Sequence, residues 1–381
     1  MGRRRGHNEG SVHYRHDRDR WVAELTVEDG RRRQFYCKTE KEARTKLISV
    51  LGDLQRGMLP SGRQQSVKAF LEHWIENVAK QQVRPKTWDR YSGQLKKHIV
   101  PALGRKQLGK LSAQDLQVFY NRKISEGLAP RSVVHMHRVL HKALGEAVRL
   151  DLISRNPCAL VKPPKVSQSP IRFLTAEEAK TLLAAAQDDP LEALYVLALT
   201  TGMRQGELLG LRWDCVDLDG LAVHVRRTVY WRQGHGFVWS EPKSKASQRR
   251  VSLTEVAAST LRHHRERQST SRLLAGDAWC EQGLVFPNSV GNPINANNLL
   301  NRSFKPLLER AGLPKVRFHD LRHSAASLLL SLGTHPKIVQ ELLGHSSISV
   351  TLDIYSHAIP TLQDQAVSQL ADLLGRGQGS A

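Results

Sequence analysis

The sequence predicts a multidomain protein, mainly α with small β-sheets, and three observations carry that expectation. Its 381 residues, 40% hydrophobic and 24% charged, suit two or three domains at about 150 residues each. Apolar residues alternate near the N-terminus but repeat at helical spacing over most of the remaining chain. Two runs of turn-forming residues, Leu59-Pro60-Ser61-Gly62 and Asn156-Pro157 through Pro163-Pro164 to Pro170, then cut the chain into three. The expected domains are residues 1–58, 66–155 and 170–375.

The first is expected to be a small three-stranded sheet with one helix. Trp21, Ala23, Leu25 and Val27 alternate with polar residues, Glu28-Asp29-Gly30 offers a turn, and Phe35 and Cys37 resume the alternation, with a short strand at Val12 to Arg15 ahead of them. Thr39 and Glu42 form a capping box, after which Ala43, Leu47, Leu51 and Leu54 share one helical face. The second domain reads as four helices. Ser112 with Asp115 opens one of them, and Val133, Met136, Leu140, Ala143, Ala147 and Leu150 stripe another. The third is larger and mixed α+β, with Thr175 to Glu178 capping its first helix and a hairpin across Ala222–Val229 and Gly236–Leu253.

Composition narrows the function. The longest apolar run, Ala193 to Leu199, is far short of the roughly 18 residues a membrane span needs. Arg3 to Arg5 lead into a polar segment with no secretion signal, so a cytoplasmic, nucleoid-associated protein without membrane partners is expected. Cys37, Cys158, Cys215 and Cys280 are too scattered for a disulfide framework or a cysteine zinc site. The formal charge is +21, and residues 61–165 alone carry 20 basic against 7 acidic side chains. That excess points to a polyanion, and DNA backbone contact by the helical domain explains it better than solubility does.

Two motifs imitate other chemistries. Gly104 to Lys110 matches most of a phosphate-binding loop, but Leu111 stands where Ser or Thr would hold magnesium and no strand precedes it. His319 and His323 are spaced like zinc-protease ligands, but Asp320 replaces the required Glu. The other candidates are dispersed: Arg204 and Glu207 after an apolar helix, Lys243 and Lys245 in the hairpin region, His319 and Arg322, then His345 ten residues before Tyr355. Taken singly, each reads as surface charge, structural histidine or core tyrosine.

Taken together, the segments TGMRQGELLGLRW, HDLRH and LGHSSISVTLDIYSH in this order resemble the tyrosine recombinases of the phage-integrase family. The resemblance covers about residues 66 to 375, and the spacing from His345 to Tyr355 is one residue longer than is commonest in the family. It implies a four-helix core-binding domain and a mixed α+β catalytic domain. More loosely, the N-terminal segment resembles an arm-type DNA-binding domain. The site it implies is Arg204, Lys243, His319, Arg322, His345 and Tyr355, supported by Glu207.

Phosphodiester transfer builds negative charge on non-bridging oxygens, so catalysis is mostly positioning and preorganised cationic donors. Arg204 and Arg322 offer planar, permanently charged forks, and His345 adds a donor. Tyr355 is the nucleophile candidate, and with an ordinary pKa near 10 it needs cationic neighbours or a base, for which His319 is the expected acceptor. Lys243 is expected to protonate the leaving 5′-oxygen, with Lys245 its competitor. The reaction implied needs no metal, ATP or other cofactor. It passes through a 3′-phosphotyrosyl intermediate as a homo-tetramer on two double-stranded DNA sites, and accessory DNA-bending or directionality proteins fit the same scheme. The helix near Ala366 to Leu374 is a candidate for docking on a neighbouring protomer. The leading expectation is integration and excision of a mobile element. The alternatives are a resolving recombinase, type IB topoisomerase-like relaxation, or a catalytically silent DNA-binding regulator.

Overall fold

A computed structural model describes residues 10–26, 32–55, 65–167, 172–241, 248–345, 347–355, 367 and 370–371. By internal contacts the chain separates into two compact units, Met1–Gln168 and Ser169–Ala381.

In the first unit β1 (Ser11–Arg15), β2 (Arg20–Thr26) and β3 (Arg32–Cys37) form an antiparallel sheet in that order. Tyr14 faces Trp21 across one pair and Trp21 faces Cys37 across the next. Ala23 and Leu25 are buried as their alternation requires, and Val22, on the opposite face, is buried too. The turn at Glu28 to Gly30 lies outside the described residues. α1 (Glu40–Gln55) starts at its capping box, Glu42 N donating to Thr39 Oγ1 at 3.2 Å and Thr39 N to the Glu42 carboxylate at 3.4 Å. Leu25, Val50, Phe35 and Leu47 form the small core beneath it.

Four helices follow in the same unit. α2 (Val67–Trp74) and α3 (Pro85–Gln94) each continue through a π-helical turn, Ile75–Ala79 and Leu95–Ile99, into short last segments, Lys80–Gln82 and Val100–Leu103. α4 (Ala113–Ser125) begins at the expected Ser112 and Asp115 box. α5 (Pro130–Arg149) buries the whole predicted stripe from Val133 to Ala147, whereas Leu150 sits past the helix end, about half exposed. In the phosphate-loop lookalike, alternate backbone N–H groups are used internally rather than turned toward a phosphate. Gly104 N donates to Val100 O, Lys106 N to Leu103 O and Leu108 N to Gln65 O.

The second unit opens with α6 (Ala176–Ala185) from the Thr175 and Glu178 box, then α7 (Glu192–Thr201) and α8 (Gln205–Leu209). α7 is apolar on nearly every face and correspondingly buried, packing on later helices as the centre of the larger core. Five strands come next: β4 (Val216–Asp217), β5 (Ala222–Val225), β6 (Thr228–Arg232), β7 (Gly236–Ser240) and β8 (Arg249–Ser252). The single hairpin expected over this region is two structures. β5 pairs with β4 and β8, while β6 and β7 form a separate ribbon. Arg226 and Arg227 belong to neither sheet, and this break lets the chain step from one to the other.

α9 (Glu255–Ala275) is the next helix. α10 opens at Ala296–Asn298, passes a π-helical stretch Leu299–Phe304 and closes with Lys305–Arg310. α11 (Asp320–Ser331), α12 (Pro336–Leu343) and α13 (Ile348–Tyr355) follow, α11 packing on α7. Of the stretch from Ala366 to Leu374 only Val367, Leu370 and Ala371 are described, so its docking role lies outside the described residues. No helix among the described residues is long and apolar enough to cross a membrane.

Candidate active site

Two glycines shape the backbone here. α7 ends at Gly202 with φ +59° and α12 at Gly344 with φ +66°, both left-handed. A side chain at Gly202 would collide with Leu343, so the glycine lets the two helix ends approach.

The last carbonyls of a helix have no partner within it. Those of α12 are taken by three arginines from three different elements. Arg249 Nε donates to Leu342 O at 2.6 Å, Arg322 Nη2 to Leu343 O at 2.6 Å, and Arg204 Nη2 to Gly344 O at 3.0 Å. The negative end of the helix dipole favours the same arrangement. Arg322 also donates from Nη1 to Gly202 O at 2.7 Å, and is only 2% exposed. Desolvation, then the neighbouring Arg204, lowers its pKa to about 9.

Glu207, one turn into α8, is the counter-charge. It is 1% exposed and accepts from Arg204 N at 2.9 Å, Arg204 Nη1 at 2.8 Å and Arg249 Nη2 at 3.1 Å. Burial pushes its carboxyl upward, but Arg249, by charge and hydrogen bond, and the contacts from Arg204 outweigh that, leaving it below the ordinary value. Three guanidiniums around one carboxylate leave a net positive pocket suited to an anion.

His319 stands just ahead of α11 as its N-cap rather than within the helix. Its ring meets His323 edge-on at 5.1 Å. Partial desolvation, then His323 and Arg322, push its pKa down to about 4. Asp320 is occupied by Arg317, which donates from its backbone N at 2.8 Å and its guanidinium at 2.7 Å. The carboxylate is thus committed to the turn that precedes the helix, and no group of three metal-ligating side chains occurs among the described residues. His345 is buried, and its Nδ1 shares a 3.0 Å hydrogen bond with Thr351 Oγ1. Desolvation, then Arg322 and Arg204, lower its pKa to about 3. At neutral pH both histidines are uncharged.

Thr351 lies one turn before Tyr355 in α13, so the same hydrogen bond ties His345 to the tyrosine's helix. Tyr355 is the last described residue of that helix, and its side chain lies outside the description. Lys243 and Lys245 also lie outside the described residues, between β7 and β8. The structure thus brings Arg204, Glu207, His319, Arg322 and His345 together. Arg249 and Thr351 belong to the cluster and were not singled out from the sequence. Strand alternation carried a signal for Arg249, which shares a face of β8 with the buried Val251.

Residues 172–361 match the phage integrase family, and residues 66–124 match the phage integrase N-terminal SAM-like domain. The chain is 32% identical over 360 residues to a tyrosine recombinase XerC-like protein of Caldanaerobacter subterraneus subsp. tengcongensis, covering 90% of this chain and 92% of the relative. It is 32% identical over 387 residues to an integrase of Streptomyces ambofaciens, covering 96% and 97%. In structure it is similar to the Tn1549 transposon integrase in complex with transposon right end DNA, with a TM-score of 0.66, 21% identity, and coverage of 79% of this chain and 100% of the other.

Proposed function

Because this chain belongs to the phage integrase family of tyrosine recombinases, we propose that it breaks and rejoins DNA at specific sites to integrate and excise a mobile element. The observation that carries the reading is the gathering of Arg204, Arg322 and His345 at the end of α12, immediately before the helix that ends in Tyr355.

Tyr355 attacks the scissile phosphate, forming a 3′-phosphotyrosyl bond and releasing a 5′-hydroxyl. Because the tyrosine ester conserves the phosphodiester energy, attack by a partner strand's 5′-hydroxyl restores the backbone without a further energy source. Arg204 and Arg322 offer guanidinium donors to the non-bridging oxygens where charge develops. His319, uncharged at neutral pH, accepts the tyrosine proton. A Thr351 hydroxyl that donates to His345 Nδ1 leaves the ring proton on Nε2, ready to donate to the same phosphate. Lys243 protonates the leaving 5′-oxygen, with Lys245 as its competitor.

Residues 1–58 act as an arm-type DNA-binding domain, 66–155 as the core-binding domain and 170–375 as the catalytic domain. The basic excess of residues 61–165 supports a clamp on the phosphate backbone. The partners are two double-stranded DNA sites and three further copies of the chain, joined by accessory bending or directionality proteins, in the cytoplasm at the nucleoid.

The test mixes the protein with genomic and mobile-element DNA, denatures it, and sequences the ends of protein-linked fragments. Adducts confined to one or two sequences support the reading. Adducts spread without preference would indicate a topoisomerase instead, and none would leave a DNA-binding regulator.

A further inference from the structure

We propose that Arg249 is a positioning residue for strand cleavage, fixing Glu207 and the end of α12 so that Arg204 is presented to the scissile phosphate. That role rests on the recombinase reading. From β8 the Arg249 fork reaches both Glu207 oxygens, Nη1 at 3.4 Å and Nη2 at 3.1 Å, while Nε holds Leu342 O at 2.6 Å. Arg204 uses neighbouring anchors, the same carboxylate and Gly344 O. The two differ in access. The Arg204 side chain is 36% exposed, whereas that of Arg249 is 6% exposed and commits Nε, Nη1 and Nη2 alike to protein acceptors.

A buried charge this tightly held is costly unless its geometry is matched on every side. The planar fork serves a carboxylate and a carbonyl in different directions at once, which an ammonium at the same place cannot. Without Arg249, Glu207 loses its buried partner. Its carboxyl then drifts toward the neutral form, and a neutral Glu207 no longer holds Arg204 by charge. Among the described residues, the groups facing Glu207 are Arg204 from the start of α8, Arg249 from β8 and Arg322 from α11. Arg212, His224, Arg226 and Arg227 line a small cavity beside it. No carboxylate is among these, so removing Arg249 weakens the field on Glu207 without reversing it.

Arg249→Gln and Arg249→Lys are compared with wild type in single-turnover cleavage of a duplex oligonucleotide carrying the sequence recovered from the adduct experiment, from pH 6 to pH 9. Arg250→Gln is the control, since its guanidinium bonds Gly220 O from the other face of the same strand. DNA affinity and thermal melting are measured alongside. Arg249→Gln is expected to cleave at least about tenfold more slowly at pH 7, with affinity within about threefold, because the lost interaction acts on transition-state geometry. Arg249→Lys falls between. The ratio of variant to wild-type rate rises with pH as Glu207 regains its charge, and that rise is absent when Glu207→Gln is added.

A rate for Arg249→Gln within about twofold of wild type overturns the inference, as does a deficit that is constant with pH. If the glutamine variant does not fold, Arg249→Lys, which keeps a charge beside Glu207 but not the fork, carries the rate comparison, and a rate within about twofold of wild type overturns the inference. Failure of wild type to form any adduct would instead overturn the recombinase reading.

Discussion

Arg322 donates to the backbone carbonyl of Leu343 at 2.6 Å, so the arginine proposed to meet the phosphate also fastens the helix end that leads to the tyrosine. With Gly202 O as its second acceptor, both branches of the fork are fixed before any DNA arrives. Arg322→Lys keeps the charge but cannot hold two carbonyls in diverging directions. Cleavage by Arg322→Lys, measured in single turnover, is expected to fall by about a hundredfold or more, the scale of losing a preorganised donor. A near-normal rate would remove Arg322 from the site.

Gly202→Ala tests the backbone that makes this arrangement fit. An alanine there adopts φ +59° and drives its Cβ against Leu343. Strain of this kind costs about 1–3 kcal/mol, and relief by moving Leu343 would shift the carbonyl that Arg322 holds. Thermal melting of the full chain should show lower stability, and adduct formation should drop even at temperatures where the variant is folded.

Acid should destabilise the protein before its carboxylates titrate. His345 has its pKa lowered to about 3 in the folded chain, against an ordinary value of 6.5. Between those values the unfolded chain binds a proton that the folded chain refuses, so stability falls as pH drops from about 6.5 toward 3. His319 acts in the same direction with a smaller share, its pKa being lowered less, to about 4. Melting temperature is expected to decline steadily below neutral pH, and His345→Gln should flatten that decline. An unchanged slope in the variant would count against the buried, uncharged state of this histidine.

Much of the fold was legible in the sequence, for reasons visible in particular residues. The capping boxes at Thr39, Ser112 and Thr175 are local, with donor and acceptor three residues apart, and each starts its helix in the structure. The α5 stripe from Val133 to Ala147 was equally readable, because one helix and one core decide it. The strands between Ala222 and Ser252 were harder to read, since β8 pairs with β5 across an intervening ribbon and pairing partners are set by tertiary contacts. Five of the site residues carried motif signatures, whereas Arg249 showed only the strand alternation it shares with Val251 and Thr351 showed no signal. Their importance comes from contacts to Leu342 and His345 that exist only once α12 and α13 are in place.

DNA affinity should fall steeply with salt. The excess of basic over acidic side chains in residues 61–165 implies contacts that displace condensed counterions from the phosphate backbone. A logarithmic plot of binding constant against salt is expected to be linear with a large negative slope, and a flat response would contradict the backbone clamp.

The role of Tyr355 as nucleophile is tested by trapping the protein–DNA adduct, digesting both components and mapping the nucleotide-bearing peptide by mass spectrometry. The expected result is a 3′-nucleotide on the peptide containing Tyr355, and no adduct from Tyr355→Phe with DNA affinity changed by no more than a few fold. A nucleotide on another residue, or adducts that survive Tyr355→Phe, would contradict the proposed chemistry.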